Sequence, residues 1–89
     1  MRMASYELVF KKSVARDLRR FPPQDVRRIM ERIRSLAADP RPFGCEKLSG
    51  LERYRVRQGA YRIICEIEDR RLTVLVVKVD HRREVYRSS

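Results

Sequence analysis

Residues 53–79 read RYRVRQGAYRIICEIEDRRLTVLVVKV, and this stretch decides the fold. Apolar and polar residues alternate through Tyr54-Arg55-Val56-Arg57, the mark of a half-buried strand, here Arg53 to Gln58. Gly59-Ala60 supplies a turn. Tyr61 to Glu68 is a second strand, turned by Asp69-Arg70. Leu72 to Val79 is a third, rich in β-branched residues. Connections this short join antiparallel neighbours, so the three strands form a meander.

Toward the N-terminus, Ser5 to Phe10 alternates again, with Tyr6, Leu8 and Phe10 on one side. Ser13 fits an N-cap, and Val14, Leu18 and Phe21 then recur at helical spacing. Pro22-Pro23 ends that helix, and Pro23 suits the first turn of the next. The second helix carries an apolar stripe of Val26, Ile29, Met30, Ile33, Leu36 and Ala37. Asp39-Pro40-Arg41-Pro42 closes it, and Arg41 to Leu51 reads as a loop bent at Gly44 and Gly50. The predicted class is α+β, in the order β-α-α-β-β-β: a small, mostly antiparallel sheet with a helical hairpin packed on one face. At 89 residues the whole chain, 1–89, is expected to form a single domain. Two helices cover one sheet face, so the other must meet solvent or a partner.

The formal net charge is +10, and Lys11, Lys12, Lys47 and Lys78 are the only lysines. The rest of the excess is arginine, whose planar fork of donors matches phosphate. That balance points to a polyanion, or to an acidic protein covering the same surface. Cys45 and Cys65 have no CxxC spacing and His81 is the lone histidine, which argues against zinc. There is no acidic cluster of the kind that holds magnesium, so no cofactor is expected. The first ten residues lack the apolar run of a signal peptide, and nothing approaches the roughly 20 apolar residues of a membrane span. A cytoplasmic protein with reduced thiols is the expectation.

Period-two alternation places Arg55 and Arg57 on one side of their strand. If Arg62 shares that face, three guanidiniums converge, an arrangement that is destabilising without an anion. The final strand leads into His81, Arg82, Arg83, Tyr86 and Arg87. These are parts for metal-free RNA cleavage. The 2′-hydroxyl needs a proton acceptor, the phosphoryl oxygens need fixed cations, and the leaving 5′-oxygen needs a proton. Singly, each signal has a plainer counterpart: a solvated arginine face, a strand-end histidine, a packing tyrosine. The joint pattern carries the functional reading.

That pattern resembles the RelE side of the RelE/ParE superfamily of toxin–antitoxin toxins. The resemblance runs through KKSVARDLRRFP, DPRPFGCEKLSG, YRVRQGAYRIICEI and VLVVKVDHRREVYR, nearly the whole chain. It implies a ribosome-dependent endoribonuclease, metal-independent, that cleaves mRNA in the A site. Arg55, Arg57, Arg62, Arg82 and Tyr86 then match the family's positions around the scissile phosphate. Lys47, Arg53, Arg83 and Arg87 are further candidates for RNA or ribosome contact. One departure matters. The familiar pattern has two lysines where this chain has Arg55 and Arg57. Arginine stays protonated, so neither can accept a proton, and His81 becomes the expected base. The implied partner is an acidic, RelB-like antitoxin in a hetero-oligomer, with no membrane involved. The alternatives are a ParE-like inhibitor of DNA gyrase and a non-catalytic RNA- or antitoxin-binding module.

Overall fold

The computed structural model describes residues 5–48 and 52–81. Strand β1 (Glu7–Phe10) leads into α1 (Lys12–Arg19) and α2 (Pro23–Ser35). A short strand, β2 (Glu46–Leu48), precedes the meander β3 (Arg53–Gln58), β4 (Tyr61–Glu68) and β5 (Thr73–His81). The five strands form one sheet in the order β1-β5-β4-β3-β2. All pairings are antiparallel except β1 with β5, which is parallel.

Two local expectations change. The segment expected to be loop contains β2, which pairs Glu46 with Arg55 and Leu48 with Arg53. Three residues are too few to show a period, so β2 exists through its ladder to β3 rather than through its own pattern. Helix α1 begins at Lys12 with Lys11 as N-cap and no side-chain cap bond, so Ser13 lies inside the helix.

The helices lie on one sheet face. Val14 and Phe21 of the α1 hairpin pack with Ile29, Ile33 and Leu36 against Val56, Ile63, Cys65, Val74, Val76 and Val79. Burying each large side chain is worth about 1.5–3 kcal/mol. Cys65 is fully buried, and desolvation raises its thiol pKa to about 11.

Beyond Val76 the edge of β5 loses β1 as its partner, because the parallel register stops at the Phe10–Val76 pair. Asp17 of α1 takes over: its carboxylate accepts the Val79 N–H at 3.3 Å. This explains a buried aspartate in an apolar interface. A buried N–H left without a partner costs about 1–3 kcal/mol.

At the opposite end of the sheet, Arg41 donates two hydrogen bonds of 3.0 Å to Asp69, which also accepts from the Tyr6 hydroxyl at 2.7 Å. The same guanidinium stacks 4.9 Å over the Tyr54 ring. This network ties the loop after α2 to the β4–β5 turn and to the segment before β1.

Candidate nucleic-acid interface and its catalytic groups

The sheet face away from the helices carries the arginines. Tyr54 and Val56 point into the core, so Arg53, Arg55 and Arg57 stand on the open side. In β4, Tyr61, Ile63 and Cys65 are buried, which puts Arg62 on the open side too. The register aligns Arg57 directly with Arg62. The three guanidiniums expected to converge therefore do share one face.

Their charge is met in part from within the chain. Arg55 is paired with Glu46 across β2. Arg53 bonds Glu66, with Nε–Oε2 at 3.2 Å. Arg62 Nε donates to Asp80 Oδ1 at 3.1 Å, and both side chains are largely shielded, at 18% and 13% exposure. The like-charge cost is thus offset by interleaved carboxylates, and no external anion is needed to hold the cluster together. Arg57 is the exception: it is exposed and has no ion-pair partner among the described residues. Arg55 also keeps one unused donor, a buried Nε without a hydrogen-bond partner. The face therefore offers one free guanidinium beside others whose positions are fixed.

A β-bulge explains the composition of this face. The β4–β5 register slips between Ile64 and Cys65, so that Cys65 pairs with Val76 while Ile64 pairs with Lys78. Val77 is the extra residue. Before the bulge, Val74 and Val76 point inward; after it, Val79 does. Lys78 and Asp80 are thereby delivered to the arginine face. The signal was present in the sequence. An unbroken alternation from Val74 would have driven Lys78 and Asp80 into the core.

The same slip moves His81. It pairs with Tyr61 on the helix side, with ring centroids 5.0 Å apart in an edge-on contact. Tyr61 in turn donates to Asp25 of α2 at 2.7 Å. A hollow of about 240 Å³ here is lined by Asp25, Arg28, Gln58, Tyr61 and His81. The expected base and the expected phosphate-binding arginines thus stand on opposite faces of the sheet. Lys47 is also off the arginine face: it aligns with Tyr54 and bonds Glu52 at 3.2 Å. Arg82, Arg83, Tyr86 and Arg87 lie outside the described residues.

A larger hollow, about 460 Å³, sits toward the far end of the sheet, bordered by Val9, Glu66, Glu68, Thr73 and Leu75. Its apolar floor and acidic rim suit neither phosphate nor base stacking. Among the described residues no group of His, Cys, Asp and Glu could hold a metal ion, and no helix is long and apolar enough to cross a membrane.

Residues 8–86 match the sequence model described as the ParE toxin of type II toxin–antitoxin systems. The chain is 31% identical over 86 residues to Toxin RelG of Mycobacterium tuberculosis, covering 92% of this chain and 97% of that one. Its fold matches a chain of the M. tuberculosis RelBE2 toxin–antitoxin complex with a TM-score of 0.80 at 28% identity, over 91% of this chain and 95% of that chain. A chain of the archaeal RelE–RelB complex of Pyrococcus horikoshii matches with a TM-score of 0.76 at 25% identity, over 88% and 96%. The protein is a toxin of a type II toxin–antitoxin system. Within that class the chain belongs to the RelE/ParE superfamily and is of the RelE type.

Proposed function

We propose that this toxin is a ribosome-dependent endoribonuclease that cuts mRNA in the A site without a metal ion, and that an acidic RelB-like antitoxin neutralises it. The observation that carries the reading is the Arg57–Arg62 pair on an exposed sheet face. Two adjacent guanidiniums, one free and one fixed, are suited to hold a phosphodiester and stabilise charge developing on its oxygens. The face is open and shallow, so in-line geometry must come from outside the protein. A ribosome that holds the mRNA supplies it.

The net charge of +10 supports fast, electrostatically steered capture by an acidic partner. The M. tuberculosis and P. horikoshii relatives occur in complexes with antitoxins, in keeping with such a pairing here. Mapping mRNA ends after induced expression tests the proposal. Breaks within translated codons support it. DNA breaks from stalled gyrase, with intact mRNA, would instead support the ParE-like activity that the family's name raises.

A further inference from the structure

If the proposed RNA cleavage holds, one role remains unfilled: the group that takes the proton from the 2′-hydroxyl. Arg53, Arg55, Arg57 and Arg62 cannot accept it. His81 stands on the other side of the sheet. Among the described residues, the carboxylates paired with these arginines are Glu46 beside Arg55, Glu66 beside Arg53, and Asp80 beside Arg62.

The geometry points to Asp80 as the general base, resting on the cleavage reading above. Two register pairs single it out. Arg57 faces Arg62 across β3–β4, and Arg62 faces Asp80 across β4–β5. The three side chains form one row across the sheet, with the free guanidinium at one end and the carboxylate at the other. A phosphate held by Arg57 and Arg62 lies alongside Asp80. Glu46 and Glu66 sit in other rows, and each is more exposed than Asp80. Among the described residues β1 pairs with β5 only as far as Val76, and beyond it the β5 edge meets α1 through Asp17. The Nε–Oδ1 bond leaves the second oxygen, Oδ2, to accept a proton.

The step balances without a co-reactant. Asp80 takes the 2′-hydroxyl proton as O2′ bonds to phosphorus. The P–O5′ bond breaks, and the 5′-oxygen leaves with a proton from water. The products are a 2′,3′-cyclic phosphate and a 5′-hydroxyl. Among the described residues, the charged groups around Asp80 on this face are Arg62 of β4, Arg57 of β3 and Lys78 of its own strand. Asp17 of α1 and His81 lie on the helix side.

The test is single-turnover cleavage of mRNA on programmed ribosomes by the wild type and Asp80→Asn. Asparagine keeps an oxygen acceptor for Arg62 Nε, while it removes the basic oxygen and the negative charge. The expected result is a rate loss of about 100-fold, within the range for a general base, with ribosome affinity unchanged within about twofold. The pH profile should change as well. The wild-type rate depends less steeply on pH than the variant's, which rises about tenfold per unit as hydroxide takes over. A variant with wild-type rate overturns the assignment. So does a loss matched by lost ribosome affinity, which reduces Asp80 to a support for Arg62, or a variant whose profile keeps the wild-type slope. A wild type that does not cut at all refutes the parent reading instead.

Discussion

Arg57 and Arg62 face each other as paired residues of neighbouring strands, yet among the described residues only Arg62 is held by a carboxylate, that of Asp80. One cation is free to meet a ligand, and the other is fixed in place. The two should therefore respond differently to removal.

Arg57→Ala takes away a charge with no ion-pair partner among the described residues. Stability should stay within about 0.5 kcal/mol of wild type, while growth arrest is lost. Urea unfolding beside a growth assay checks both halves. A variant as toxic as the wild type removes Arg57 from the site.

Arg62→Ala strips Asp80 of its partner in a shielded setting. It should lower both activity and stability, the latter by about 1–3 kcal/mol, since a shielded charge is left uncompensated. Removing Asp80 as well should restore part of the stability but none of the activity. Additive losses in this double-mutant cycle would show that the ion pair contributes nothing to folding.

His81→Asn separates the two sheet faces. The imidazole packs edge-on against Tyr61 on the helix side, so cleavage should stay within about threefold of wild type. Abolished cleavage by a folded, ribosome-binding variant would return His81 to the role of base.

Asp17→Leu leaves the Val79 N–H without an acceptor. The expected loss is about 1–3 kcal/mol, or roughly 4–8 °C in Tm per kcal/mol for a domain of this size. An unchanged Tm would mean that the edge of β5 finds another partner.

Acid should act through Asp69. The hydrogen bonds from Arg41 and Tyr6 hold its carboxyl below the ordinary value of 3.8. A lowered folded-state pKa gives stability that is complete above the unfolded value and lost as pH falls through the folded one. Its share of acid sensitivity thus lies below about pH 4. Arg41→Gln should flatten the stability profile in that window when unfolding is followed by urea titration. A profile as steep as the wild type's would assign the sensitivity to other carboxylates.

Much of the fold was legible because long elements repeat their period. The Ile29–Ile33–Leu36 stripe and the alternation of Tyr54 with Val56 both survive in the structure. Strand β2 was not legible, since its three residues are ordered by the ladder to β3. The site was legible up to Arg62, because alternation alone fixes which face an arginine occupies. Past Val77 it was not. One extra residue in β5 reverses every later side chain, bringing Asp80 to the arginines and taking His81 away. The Val76-Val77-Lys78 sequence held that information, visible only when Lys78 and Asp80 are asked where else they could go.

The most direct test of the arginine face is end-mapping of mRNA on programmed ribosomes treated with purified wild type, Arg57→Ala and Arg62→Ala. The account predicts A-site cuts ending in a 2′,3′-cyclic phosphate, with at least a 100-fold slower rate for each folded variant. Equal cutting by all three, or intact mRNA with the wild type, would contradict it.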